Sequence, residues 1–421
     1  MLDSRVNRRT VIKGSAAAGV AASVGSARTS AQGKTQIRLG TWAAEAEATE
    51  LQAVLDKVNA EAEDFEIISE PQPADYYTKL QTTIAGSTAP DLFWLSQEFI
   101  ARYASLGAIA DITEAVDASD APAADLDDYF PAVLRTSMYE DKVYGLPWIA
   151  QPVMLYYNPK LLEAAGVEEP GDDFDWDAFK SACEAITDAD NEVWGTSFNS
   201  WPPIHMFMWQ AGGETITEDL SECPIDTPEA IAGADYYASI IYKPEYAVPE
   251  STIGEQGFGE MMKAGKVGFF YGGATDDLDV AYKKDPANAE IKMARVPQGP
   301  EGRPTFAWTA STVVNAKSED VDLAAKALIA LTEGIHHWKI VAPRVSLATV
   351  ETISEVVPDK ADSAEIIVSA LEEMRGFNVI PEQPEWDILF SEEFQIPIFY
   401  DEATAEELAP EVRPMLEDLL P

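Results

Sequence analysis

Apolar and polar residues alternate over residues 37–42, and the alternation predicts a first strand. Over residues 45–60, Leu51, Val54, Leu55 and Val58 recur at helical spacing, one apolar stripe on an otherwise acidic helix. Residues 65–68 read as a second strand. Residues 75–85 repeat the helical pattern through Tyr77, Leu80 and Ile84. A short buried strand is expected at 91–95, then a helix lined by Phe99, Tyr103 and Leu106 that Gly107 ends. Strand and helix alternating in this way predict a parallel sheet with helices on its faces. Ligands of such sheets bind beyond the carboxyl ends of the strands. Here those ends carry Trp42 and the turn of residues 94–97.

A longer apolar run covers residues 148–157 and is interrupted only by Gln151-Pro152. Pro152 lacks a ladder donor, so the strand is expected to break there, as where a chain leaves one domain for another. The alternation then restarts. Asp175 is a candidate N-cap for the next helix, residues 194–198 read as a strand, and 228–242 as a helix. A helix-turn-strand is expected at 258–273, a strand at 291–296 and a strong helix at 323–331. Pro410 and Pro414 predict that the last helical stretch is kinked or split.

Tyr144-Gly145-Leu146-Pro147 followed by Leu155-Tyr156-Tyr157-Asn158 resembles the signature of family 1 extracellular solute-binding proteins of ABC importers, the sugar-binding group that includes the maltose-binding protein. Gly212-Gly213 and the 258–273 stretch are further landmarks, and Asp175-Trp176 stands where that family has Thr-Trp. The resemblance implies an α/β, two-lobe periplasmic-binding-protein fold (type II), each lobe a mainly parallel sheet flanked by helices, with three hinge crossings. The lobes are expected at 32–150 plus 297–317 and at 151–296 plus 318–421, moving about the regions of Gln151, Val296 and Lys317. The implied function is capture of a sugar or related polyol by hinge closure and its delivery to ABC permease transmembrane subunits. The protein is expected to act as a monomer, without a cofactor, a metal or catalysis.

Charge narrows the partners. Seventy-three acidic residues against 29 basic ones leave a formal net charge of −44, which argues against nucleic acid and anionic lipid. The acids are scattered, as on a solvated surface adapted to salt or heat. Asn7-Arg8-Arg9-Thr10-Val11-Ile12-Lys13 resembles the twin-arginine export motif, and a weakly apolar run follows it. Residues 1–31 are therefore expected to be a removed export signal, with the mature chain starting near Gln32 outside the cytoplasm. The stretch holds no lipobox cysteine. The cysteines are Cys183 and Cys223, so one disulfide is the most the chain could form.

No GxGxxG follows a strand, and there is no Walker loop, HExxH or GxSxG elbow. His205, His336 and His337 read as surface or helix-end residues, and Gly254 to Gly259 as a loop. Aromatic residues at expected strand and loop ends carry the site instead, because pyranose C–H faces stack on them while amides and carboxylates take the hydroxyls. The candidates are Trp42, Trp94, Trp201, Tyr271, Trp308 and Trp386, with Glu45, Ser96, Gln97, Gln151, Asn199, Ser200, Gly272 and Arg344 as polar or backbone partners. Trp94 is favoured because Ser96, Gln97 and Glu98 follow it closely. Alternatives are a binder of a glycerol-phosphate ester, which would use Arg344, or of a polyamine, which would need cleft acids among the aromatics. A carbohydrate hydrolase is the remaining class, and it would need two carboxylates set across a cleft.

Overall fold

The computed structural model describes residues 33–197, 201–241, 245–338 and 343–421. The export-signal residues thus lie outside the described residues. The first strand, β1 (Thr35–Thr41), pairs in parallel with β2 (Phe65–Pro71) on one side and β3 (Leu92–Ser96) on the other. Helices α1 (Glu45–Glu61), α2 (Tyr76–Ala85) and α3 (Gln97–Ser105) join and follow them. Every residue of β3 is buried, as in a sheet covered on both faces. A small hairpin, β4 (Met138–Tyr139) and β5 (Lys142–Val143), precedes the long strand β6 (Gly145–Tyr157).

Strand β6 joins the two lobes. From Gly145 to Pro152 it pairs antiparallel with β10 (Thr305–Val314), which itself pairs with β3. From Val153 to Tyr157 it pairs instead with β8 (Val267–Gly273), and Leu155 to Tyr157 also pair with β9 (Lys292–Ala294). Beyond β8 lies β7 (Trp194–Ser197), in parallel, and β11 (Met374–Arg375) adds to the start of β10. The path of strands is β2-β1-β3-β10-β6-β8-β7. The expected break at Pro152 is corrected: the strand runs on through it, and only the partner changes. Proline can stand here because the position where one ladder ends and the next begins does not need its missing donor.

Two large buried clusters cover the sheet. Ile37, Leu39, Leu51, Leu55 and Trp94 belong to one, which also reaches Val267 and Phe270 of β8, and Leu155, Phe179, Phe207, Tyr237 and Phe269 belong to the other. The helix Val321–His336 differs from the expectation that residues 318–421 lie in the second lobe. It packs across α1, where a Cβ on Gly334 would stand 2.9 Å from Val58 and 3.0 Å from Val54. Further on, Ile380, Trp386, Phe394 and Leu416 lie in the second core.

Three local expectations are also corrected. The helix Ala405–Glu417 is continuous through Pro410 and Pro414, held by buried Ala405, Ala409, Val412 and Leu416 and by a Thr404–Glu407 capping box. The stretch expected as a loop is two helices, Glu250–Gln256 and Phe258–Lys263, meeting at Gly257 with φ +80°. His205 and His336 are buried, while His337 is exposed. Both cysteines are buried free thiols. Among the described residues no helix is long and apolar enough to cross a membrane.

Candidate functional site

At the carboxyl ends of β1 and β3 the chain turns through Trp42 and Ser96. Trp42 is half-buried, with its ring 5.4 Å edge-on to Tyr76, 5.2 Å from Trp94 and 6.1 Å from Trp308. Trp308 is half-buried too and donates its indole N–H to Ser96 Oγ at 3.1 Å. The Ser96 hydroxyl in turn donates to the Glu98 carboxylate, and the Ser96 amide donates to Tyr77 Oη at 3.1 Å. Trp308 packs against both buried clusters.

Opposite Trp308 in the β6–β10 ladder is Gln151, whose Oε1 accepts from Thr275 Oγ1 at 2.8 Å. A Cβ on Gly273 would fall 1.4 Å from Gln151 Nε2, so this glycine is what lets the side chain lie across β8. From the second lobe, half-buried Trp201 meets Phe306 at 6.3 Å, and Phe306 meets Phe377 at 4.7 Å. Arg375 lies 4.6 Å over the Trp209 ring and pairs with Glu214 at 2.5 Å.

The Gln383–Phe390 helix closes one side by packing on α3, where Arg102 pairs with Glu385 at 3.0 Å and donates to the Pro381 carbonyl at 3.4 Å. Burial lifts the Glu98 carboxyl above its ordinary pKa, against the pull of the Ser96 hydroxyl. Burial also raises Asp387 to about 7, opposed by a 2.7 Å hydrogen bond from Gln383 and reinforced by the charge of Glu98.

Several expected site residues are corrected. Trp94 is 0% exposed, its ring 4.4 Å from Trp148 and 5.2 Å from Trp42, and its place is the core. The last residues of β3 are covered on both faces, so a strand end did not mean an open face. Tyr271 is buried between Phe179 and Phe207. Gly272 is a packing glycine, since a Cβ there would stand 2.7 Å from Asp276 and 2.8 Å from Tyr156. Trp386 is buried on a helix, stacked 4.8 Å from Phe390, with its N–H on Cys223 Sγ. Arg344 is buried and held by Asp128 at 2.8 Å and Glu333 at 3.0 Å. Gln97 is buried and donates to the Ala307 carbonyl, beneath the surface rather than on it. Glu45 is exposed in the first turn of α1. Asn199 and Ser200 lie outside the described residues.

What remains together is Trp42, Ser96, Gln151 and Trp308, with Trp201 against Phe306 earlier on β10. Glu98 joins them through Ser96 and Thr275 through Gln151, while Asp387 lies on the helix packed against α3. Glu98 was legible as the next residue of a named turn. Asp387 had no signal in a chain with so many acids. A separate groove of about 630 Å³ runs between the β4–β5 hairpin and residues 218–220, lined by Leu134, Tyr139 and Val379, and it contains none of the expected site residues. No group of three His, Cys, Asp or Glu side chains among the described residues is placed to hold a metal.

A sequence profile described as bacterial extracellular solute-binding protein matches residues 32–333. The maltotriose-binding protein of Pyrococcus abyssi is 30% identical over 210 residues, 49% of this chain and 42% of that one. The chain spans about 60% of the length of the first curated relatives it matches. Among solved structures, an ABC substrate-binding protein from Listeria monocytogenes in complex with cycloalternan superposes with a TM-score of 0.76 at 22% identity, over 91% of this chain and 98% of that one. A solute-binding protein from Agrobacterium radiobacter in complex with ribitol gives 0.69 at 20%, over 91% and 98%. At these identities the likeness is one of fold.

Proposed function

The chain belongs to the bacterial extracellular solute-binding proteins, and on that premise we propose that it captures a sugar or polyol between its lobes and delivers it to an ABC permease. The observation that carries the reading is the joining of Trp42, Trp308, Ser96 and Glu98 beside Gln151, two residues before β6 changes partner at Val153. Half-buried indole faces offer stacking to the C–H face of a ring, and the serine, amide and carboxylate offer partners to its hydroxyls. The named ligands of similar proteins, maltotriose, cycloalternan and ribitol, support the same class. A phosphate ester is disfavoured because Arg344 is buried in ion pairs with Asp128 and Glu333.

Closure would turn on the paired strands β6 and β10, with export by the twin-arginine route bringing the protein to its site of action. Binding rather than hydrolysis is the proposed activity, supported by the family. A thermal-shift panel of mono- and oligosaccharides and polyols tests it, because a bound ligand stabilises by mass action, about 2.7 kcal/mol at one hundred times Kd. A saturating ligand should also reduce the radius of gyration in solution scattering. A panel in which no sugar or polyol raises Tm would contradict the reading.

A further inference from the structure

The ion pair between Lys360 and Asp279 is sealed in the interior, with 2% and 3% of the two side chains exposed at a separation of 2.7 Å. Lys360 comes from the short helix Pro358–Ser363, and Asp279 from the segment that follows β8. Ser363 Oγ donates to the other carboxylate oxygen of Asp279 at 2.5 Å. Well-packed apolar side chains join two segments as firmly as buried charges do, so adhesion alone does not account for an ion pair in this place. The same two segments are also tied at the surface, where Lys283 reaches the Asp359 carbonyl and the Asp362 carboxylate, each at 2.8 Å.

Lys360 makes one contact that no apolar side chain could replace. Its ammonium also donates to the backbone carbonyl of Asp276. That carbonyl ends the turn after β8, from Gly273 to Asp276. Within the turn the Asp276 amide donates to the Gly273 carbonyl at 3.0 Å, and the Gly273 amide to the Asp276 carboxylate at 2.9 Å. The Ala274 amide donates to the Pro152 carbonyl at 3.1 Å. Fully buried Tyr156 of β6 directs its hydroxyl at the Gly273 and Asp276 carbonyls, 2.7 and 3.1 Å away. The Lys360 ammonium stands 5.8 Å over the Tyr156 ring. Thr275, half-buried in the middle of this turn, donates to Gln151 Oε1 opposite Trp308. A polar group held in one orientation before binding loses less freedom when it meets a ligand.

We propose that Lys360 is a positioning residue of the solute site. By holding the Asp276 carbonyl it fixes the turn that carries Thr275, and Thr275 fixes Gln151 beside Trp308, so Lys360 raises solute affinity without touching solute. This role rests on the solute-binding reading above.

The test uses the full mature chain with Lys360→Met and Asp279→Leu combined, which removes both charges and leaves no buried ion uncompensated. Hydrogen exchange without ligand, read by mass spectrometry, should rise about tenfold or more at the amides of residues 273–276 and stay unchanged in β1 and β2. Maltotriose, ribitol and the panel sugar that raises Tm most are then titrated by tryptophan fluorescence. Their binding should weaken about threefold or more. Asp279→Asn, which keeps the amine on the Asp276 carbonyl, should bind as the wild type does. In a Gln151→Ala background the double change should leave affinity unchanged, because its effect runs through Gln151, whereas a merely structural role would weaken both backgrounds alike. Lys360→Gln with Asp279→Asn, a neutral polar pair, serves the same comparison if the apolar pair folds poorly. Unchanged exchange at 273–276, unchanged affinity, or an equal loss with and without Gln151 overturns the positioning role and leaves the solute-binding reading standing. If no sugar or polyol binds the wild type, both are overturned.

Discussion

Gln151 and Trp308 face one another in the ladder between β6 and β10, two residues before Val153, where β6 exchanges β10 for β8. The indole proposed to stack solute and an amide bonded to Thr275 thereby share one rung of the ladder, while the same indole is bonded to Ser96.

Trp308 and Trp94 should respond to truncation in opposite ways. Trp308→Ala removes a half-buried face, so ligand-free melting should move little while affinity for the best solute falls by about 1–3 kcal/mol, or about one to two decades in Kd. Trp94→Ala opens a cavity beneath Trp42 and Trp148 and should cost about 3–5 kcal/mol of stability. Below its lowered melting point it should still bind. Denaturant unfolding and titration on both proteins check this, and a Trp94→Ala protein of normal stability would contradict the placement.

Gly273→Ala should be disruptive for a reason that a second change can relieve. The added Cβ would overlap Gln151 Nε2, 1.4 Å away, and come within 2.5 Å of its Cδ. The single variant should lose about 1–3 kcal/mol by overpacking together with the Gln151–Thr275 bond. Combining it with Gln151→Ala should recover most of the packing loss. A double-mutant cycle in urea measures the coupling, and strictly additive effects would argue against this contact.

Stability should fall in acid through the buried histidines. Burial lowers His205 to about 3, below the roughly 6.5 of an unfolded histidine. Between those values the unfolded chain binds a proton that the native one does not, so stability is lost as pH falls from about 6.5 toward 3. His336, lowered to about 3 mainly by burial, adds to the same slope. Thermal melts should show a shallower acid loss in His205→Leu than in the wild type. Asp387 works the other way. Its raised native pKa means that the native state holds a proton the unfolded chain has released, so its contribution is present below about 4 and lost as pH rises toward 7. Asp387→Asn should therefore gain on the wild type at pH 8 relative to pH 4.

Export should depend on the arginine pair. With Arg8→Lys and Arg9→Lys together, precursor should accumulate in the cytoplasm, read by fractionation and by the mass of the mature N-terminus. Normal export of that variant would remove the twin-arginine argument.

The sequence alone settled the elements whose evidence is local. Period placed α1, the helix at 323–331 and the strand–helix alternation of the first lobe, and capping the helix opened by Asp175, because a stripe such as Leu51, Leu55 and Val58 records which side of one helix is dry. It also marked Gln151-Pro152 as special, but as a break in the strand, whereas β6 runs on through Pro152 and only its ladder partner changes there. What it left open was which side of a tryptophan is covered. Trp94 and Trp308 are both large aromatics on buried strands. Only the packing of Trp148 and Trp42 against Trp94, 4.4 Å and 5.2 Å away, and the half-buried position of Trp308 between two buried clusters, assign the first to the interior and leave the second as a candidate for the site. The same holds for charge. Arg344, Glu98 and Asp387 are three charged residues among many in the sequence, and their fates were decided by neighbours brought from distant segments. Arg344 found Asp128 and Glu333, while Glu98 is tied through Ser96 to Trp308 and Asp387 is bonded to Gln383. Local pattern records solvent exposure along one element, whereas a site is made by contacts between elements, and those exist only once the sheet has brought β3, β6 and β10 side by side.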